Sequence, residues 1–270
     1  MSESPPPDLP APQGVPDDGP AIAVRGLGKR FGALMAVRGI DLDVPRGSFF
    51  GLVGPNGAGK TTTLSMVTGL LRPDAGRAFV LGHDVWADPT AAKRLLGVLP
   101  DGLRTFDRLT GLQLITYAGL LRGLPRELAA ERAAELVDAL GLTDAQGTLV
   151  VDYSAGMTKK VTLAAALVHA PRVLVLDEPF EAVDPLSAAT IRRILADYVD
   201  AGGTVVLSSH VMDLVERICS HIAVIAEGSV LTAGELDAVR DGRPLEERFV
   251  DLVGGSTEVV GLSWLRTSSD

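Results

Sequence analysis

Eight consecutive residues, Gly54-Pro55-Asn56-Gly57-Ala58-Gly59-Lys60-Thr61, fit the pattern G-x-x-x-x-G-K-[ST]. Glycines let such a loop wrap tightly enough for successive backbone N–H groups to face the oxygens of a β-phosphate. In that setting Lys60 reaches the β- and γ-phosphates and the Thr61 hydroxyl coordinates Mg²⁺. A second chemical centre lies in RVLVLDEP, residues 172–179, where an apolar run ends in two carboxylates. Asp177 is placed to hold Mg²⁺, mostly through water, and Glu178 to orient and activate an attacking water. Read alone, the pair leaves as a lesser alternative an acidic strand end exposed to solvent. His210 closes GGTVVLSSH, at a strand tip from which it can hydrogen-bond a γ-phosphate. His83, His169 and His221 have no such setting and read as structural. YSAGMTKK, residues 153–160, heads an apolar segment and reads as a helix N-terminus whose open amides could receive an anion. Ser154 is equally well an ordinary N-cap.

These groups act together only if the fold carries them to one edge. SFFGLV reads as a short buried strand and KTTTLSMVTGLL as the helix after it, the strand–loop–helix context that a phosphate loop requires. The runs before Asp177 and His210 read as further buried parallel strands, which deliver residues to the rim of a sheet. Alternating strands and helices predict an α/β fold with a largely parallel central sheet. A mostly helical insert is expected from about Thr105 to about Gly147, where apolar residues recur at three- and four-residue spacing. The stripe on AAERAAELVDAL fits a partner-binding helix, but such stripes more often pack on their own domain. Residues 229–270 read as a small C-terminal extension, in which the sequence does not settle the surroundings of Trp264.

Bulk properties exclude several classes. The chain has 270 residues, 46% of them apolar, enough for a sizeable core. A formal net charge of −9, with no long basic block, argues against nucleic acid as the main partner. Cys219 is the one cysteine, so neither a disulfide framework nor a thiolate metal site is available, and it reads as a small buried residue. Residues 1–20 hold seven prolines and few large apolar side chains, which predicts a disordered tail and not a signal peptide. VTLAAALVHAPRVLVL is interrupted by His169, Pro171 and Arg172, short of the ~20 apolar residues of a membrane helix.

In order and content, the motifs over about residues 21–250 resemble the nucleotide-binding subunit of an ATP-binding cassette (ABC) transporter. KRFGALMAV resembles the adenine-stacking loop, with Phe31 as its aromatic, and residues 54–62, Thr62 included, match the phosphate loop. GVLPDGLRTFDRLTG stands in place of the glutamine loop with Asp101 as the key residue, YSAGM in place of the LSGGQ signature, and LDEPFEAVD runs to Asp184. His210 falls at the switch histidine. The resemblance implies a P-loop NTPase core over 21–228, with an N-terminal antiparallel β region and a helical insert that reaches about residue 165 once the signature helix is counted. It implies ATP and Mg²⁺ as ligands, with Thr61, Asp101 and Asp177 on the metal. It also implies a head-to-tail dimer, with itself or a homologous cassette, in which Ser154 and the Gly156 amide contact the γ-phosphate held by the partner. An integral membrane subunit would dock near Asp101 and the insert, holding the chain at the cytoplasmic face. Three positions depart from the family pattern: Ala155 replaces a glycine, Asp101 replaces the usual Gln or Glu, and Glu181 replaces a small or polar residue. "YS-x-GM", the acid of "LPD" and the PLEERFVDLVGG ending resemble the multidrug, daunorubicin-resistance-like and lipid-exporter branch. The resulting expectation is an ATPase that powers export. The alternatives are a soluble ABC protein remodelling a ribosomal, DNA or protein assembly, and a non-hydrolysing regulatory module, which the intact Glu178 disfavours.

Overall fold

The computed structural model describes residues 19–102, 106 and 108–254. The tail expectation for residues 1–18, the insert boundary at Thr105 and the question of Trp264 fall outside the described residues. The chain opens with β1 (Ile22–Phe31) and β2 (Leu34–Val44), an antiparallel hairpin, and then β3 (Phe49–Val53) and α1 (Lys60–Val67). β4 (Ala75–Val80) returns to pair antiparallel with β1, and β5 (His83–Asp84) extends it, giving a four-stranded sheet ordered β2-β1-β4-β5. After α2 (Pro89–Leu95) and β6 (Leu96–Leu99) comes the helical region: α3 (Gly111–Leu121), α4 (Arg126–Ala139) and α5 (Ala155–Leu167). α3 begins with a capping box, Thr110 accepting from the Gln113 N–H while the Gln113 side chain accepts from the Thr110 N–H. The rest alternates: β7 (Val173–Leu176), α6 (Pro185–Asp200), β8 (Thr204–Ser209), α7 (Met212–Ile218) and β9 (His221–Ala226). β10 (Ser229–Glu235), α8 (Leu236–Arg240) and α9 (Leu245–Val253) complete the described chain.

The second sheet has the order β10-β9-β3-β8-β7-β6 and is parallel except for the β9–β10 hairpin. Its inner strands are buried on both faces, which is why their sequences are continuous apolar runs instead of alternating ones. Side chains of successive strand residues still point to opposite faces. Phe49 and Val53 of β3, Leu174 and Leu176 of β7, and Val205 and Leu207 of β8 join the core under α3 to α7. Phe50 and Leu52, Val173 and Val175, and Val206 join the core against the antiparallel sheet. At Gly51 a Cβ would lie 2.9 Å from Val215 and 3.0 Å from Cys219, so glycine there lets α7 approach β3.

Parallel register determines where the chemistry emerges. Val53 pairs with Ser209, and Leu176 with Leu207, so the loops after β3, β7 and β8 leave the sheet at one carboxyl edge. Residues 229–235 are sheet and not appendage. β10 pairs along β9, and the turn between them carries left-handed Glu227 (φ 49°) and Gly228 (φ 78°), so the boundary drawn at 228/229 falls within a hairpin. α9 then returns Leu245, Phe249 and Leu252 to the core beside α7. Among the described residues, no helix is long and apolar enough to cross a membrane.

Candidate active site

The loop after β3 needs its glycines for space as well as for rotation. A Cβ on Gly54 would run into the Ile225 carbonyl oxygen and crowd Ala58, and one on Gly59 (φ 102°) would meet the Ala36 carbonyl at 2.5 Å. The loop is thus pressed between β2 and β9, and the Gly228 N–H donates to the Ala58 carbonyl at 3.0 Å. α1 starts at Lys60 with no side-chain cap and no acid in its first turn, so its amides and the positive end of its dipole are left for an anion. Lys60 is buried, and its Nζ donates to the Gly54 carbonyl at 2.7 Å and the Pro55 carbonyl at 3.3 Å.

At the end of β7, Asp177 is 4% exposed and its N–H donates to the Leu99 carbonyl. One hydroxyl organises both acids: Ser208 Oγ donates to Asp177 Oδ1 at 2.5 Å and accepts from the Glu178 N–H at 2.9 Å. Glu178 has a left-handed backbone, φ 45°, which in a non-glycine residue costs on the order of 1–3 kcal/mol and persists only where neighbours hold it. Its carboxylate is 3.1 Å from His210 Nδ1 and 3.8 Å from Lys60 Nζ. The ring expected to reach a γ-phosphate is therefore bonded here to the carboxylate expected to activate water.

A cleft of about 490 Å³ is lined by Phe31, Asn56, Gly57, Ala58, Gly59, Lys60, Thr61, Thr62, Asp101, Glu178, Glu181 and His210. Of the residues expected at a nucleotide site in one chain, Gly54 and Asp177 lie outside this lining. Phe31 is 47% exposed at the rim, with Lys29 Nζ 5.7 Å from its ring centroid, and Lys29 is itself held by Asp74 at 2.8 Å. Asp101 is exposed, and its carboxylate accepts from the Gly102 N–H. Among the described residues there is no cluster of His, Cys, Asp and Glu able to cage a metal. The hard oxygens of Thr61, Asp101 and Asp177 instead fit Mg²⁺, which keeps waters and takes one or two carboxylates beside phosphate oxygens.

Ser154 and Gly156 are not in that cleft. Ser154 caps α5, its Oγ accepting from the Met157 N–H at 3.2 Å, and it is exposed together with Ala155. The first turn of α5 carries no acid. Ala155 is helical, so the departure from glycine there brings no left-handed strain. A Cβ on Gly156 would lie 2.6 Å from Asp184 Oδ2 and 2.9 Å from Ser187 Oγ, so the helix start is packed on the cap of α6. Asp184 accepts from the Ser187 and Leu186 N–H groups, and hydrogen bonds from Ser187 foremost hold its carboxyl below the usual range. On α3, beyond the Asp101 loop, an open apolar groove of about 860 Å³ runs along Leu109, Leu112, Thr116 and Leu120, with Phe106 edge-on to Tyr117 at 5.4 Å.

Residues 37–181 match the family described as ABC transporter. The chain belongs to that family. It is 41% identical to the daunorubicin/doxorubicin resistance ATP-binding protein DrrA of Streptomyces peucetius, over 86% of this chain and 71% of the relative. The linearmycin resistance ATP-binding protein LnrL of Bacillus subtilis (strain 168) is 34% identical over 79% of this chain and 68% of the relative. A solved ATP-binding subunit of an ABC transporter superposes with a TM-score of 0.80, covering 86% of this chain and 99% of that one at 26% identity. A dimeric cassette in a post-hydrolysis state, bound to ADP and Pi, shares the fold with a TM-score of 0.73 at 21% identity, over 80% of this chain and 98% of that one. As an ABC cassette the chain is an ATP-binding ATPase.

Two residues that the sequence did not single out contact the acids after β7. Ser208 is fully buried, and a hydroxyl inside the apolar run TVVLSS was the available signal. Lys159 donates from α5 to the Glu178 carbonyl at 2.9 Å. Nothing local marks it apart from the adjacent Lys160.

Proposed function

We propose that this cassette drives a drug or lipid exporter by closing head to tail with a second cassette, itself or a homologue, over two ATP molecules. The α5 N-terminus carries this reading: Ser154 and Ala155 are exposed, the first turn carries no acid, and the end lies outside the chain's own phosphate cleft. Such an end is suited to the γ-phosphate of an ATP held by another chain, with the Ser154 hydroxyl and Gly156 amide as donors. Within one chain, Phe31 stacks on adenine, and the amides of Gly57 through Thr62 and the Lys60 ammonium take the phosphates. Thr61, Asp177 and Asp101 would hold Mg²⁺, which would neutralise charge on the β- and γ-oxygens. Glu178 orients the attacking water and accepts its proton. His210, bonded to Glu178, keeps that carboxylate aimed and turns toward the γ-phosphate during hydrolysis. The export branch is supported by relatives whose names specify daunorubicin, doxorubicin and linearmycin resistance. The apolar groove along α3 suits a short apolar helix of a membrane subunit, which would keep the cassette at the cytoplasmic face.

The test uses Glu178→Gln, which should bind ATP while turnover falls about 10²–10⁴-fold, as for loss of a general base. Tagged Glu178→Gln, recovered with MgATP from gently solubilised native membranes, should bring down a multi-spanning protein in stoichiometric amount. Recovery of soluble partners alone would favour a remodelling ATPase and overturn the exporter reading.

A further inference from the structure

Glu178 is gripped at both of its peptide groups. Its N–H is taken by Ser208 of β8, and its carbonyl accepts from Lys159 Nζ at 2.9 Å and from the Glu181 N–H at 3.2 Å. Lys159 is half-buried, and among the described residues it forms no ion pair, although Asp101 and Glu181 line the same hollow between α5 and the loop after β7. An ammonium that leaves two nearby carboxylates for a backbone carbonyl is set by geometry more than by charge. The carbonyl it holds belongs to the residue with the left-handed backbone, φ 45°, a conformation that survives only where its surroundings over-determine it.

We infer that Lys159 is a positioning residue for hydrolysis: by fixing the Glu178 carbonyl it keeps the Glu178 backbone left-handed and its carboxylate on the His210 and Lys60 side of the cleft. Lys159 does not line the cleft and touches no reacting atom, so it acts entirely through Glu178. The inference rests on the reading of Glu178 as the group that activates water.

The test is a double-mutant cycle in the full-length protein. Since a misplacement of ~1 Å can cost about 10²-fold in rate, Lys159→Met, which removes one of the three hydrogen bonds and leaves the carbonyl to the Glu181 N–H alone, should lower kcat about 10-fold. KM for ATP should stay within about twofold, because no phosphate contact is lost. Lys159→Arg, which restores a cationic donor, should recover most of the rate. In the Glu178→Gln background Lys159→Met should cause no further fall, since it has no carboxylate left to position. An equal fall in both backgrounds would make Lys159 a structural residue, and wild-type kcat in Lys159→Met would leave it no role; either result overturns the inference. If Lys159→Met fails to fold, Lys159→Gln takes its place in the same cycle. Near-normal turnover of Glu178→Gln alone would instead refute the assignment of Glu178, and the cycle separates that failure from one at Lys159.

Discussion

Replacing Ser154 by Asp separates the two jobs assigned to that position. In the free chain Ser154 is an N-cap, its oxygen accepting from the Met157 N–H at 3.2 Å. Asp caps about as well as Ser, and a carboxylate at a bare N-terminus adds about 0.3–1 kcal/mol through the helix dipole. The first turn of α5 holds no acid, and the Asp184 carboxylate packed at Gly156 has its Oδ1 engaged by the α6 amides. Stability of Ser154→Asp should therefore equal or slightly exceed that of the wild type. Ser154→Ala, which leaves the amide uncapped, should lose about 1 kcal/mol, or roughly 2–4 °C in Tm for a chain of this size. Across the dimer the effect reverses. A carboxylate about 5 Å from a γ-phosphate charge, at an effective dielectric near 20, is repelled by about 3 kcal/mol, which is on the order of 10²-fold. The assay is ATP turnover against protein concentration, beside thermal melting and equilibrium ATP binding by dilute monomer. Wild-type turnover should rise faster than linearly with concentration, and Ser154→Asp should fall about 10²-fold with Tm and monomer binding intact. Wild-type turnover in a well-folded Ser154→Asp would show that the α5 end meets no phosphate, and the shared site would fall with it.

Two further predictions concern buried groups away from the cleft. His169 donates from Nε2 to the Leu96 carbonyl at 3.0 Å while its Nδ1 is buried without a partner. Burial, reinforced by the charge of Arg122, lowers its pKa from 6.5 to about 4. The unfolded chain then takes up this proton first, so the stability is fully present above about pH 6.5 and is lost as pH falls toward 4. The full shift corresponds to about 3 kcal/mol, reduced by solvent screening of a half-buried ring to about 1–2. Urea midpoints should drop between about pH 7.5 and 5 and flatten in His169→Gln; an unchanged slope in that variant would assign the acid sensitivity elsewhere. Burial also pushes the Cys219 thiol up to about 12. At about pH 8 a disulfide reagent should leave the native protein essentially unlabelled and react promptly once denaturant is added, and fast native labelling would contradict that burial.

The parts of this site legible in the sequence are those whose chemistry is local. The phosphate loop, the acids after β7 and the histidine after β8 each follow an apolar run, and parallel pairing brings such ends to one edge. What the sequence left unread depends on pairings across long separations. Ser208 meets Asp177 across 31 positions, and Lys159 meets Glu178 across 19. The left-handed backbone of Glu178 has no residue signature, because glutamate enters that region only under tertiary constraint. β10 escaped because SVLTAGE lacks a strong alternation; it is a strand because β9 beside it offers an unpaired edge.

The shared-site reading links these cross-chain and local contacts through one helix. α5 begins outward at Ser154 and Ala155 with no acid in its first turn, and about one turn further on its Lys159 donates to the backbone of the chain's own Glu178. On that reading, a phosphate arriving from the partner would contact the same helix whose Lys159 donates to the Glu178 carbonyl. The first turn of α5 carries no acid, and the Asp184 carboxylate packed at Gly156 has its Oδ1 engaged by the Leu186 and Ser187 amides. Hydrolysis removes the phosphate that made the closed pair favourable, and the pair reopens because closed and open states differ in that contact. On the proposed shared site, closure would bring the partner's phosphate to the helix that carries Lys159, and loss of that phosphate would favour reopening.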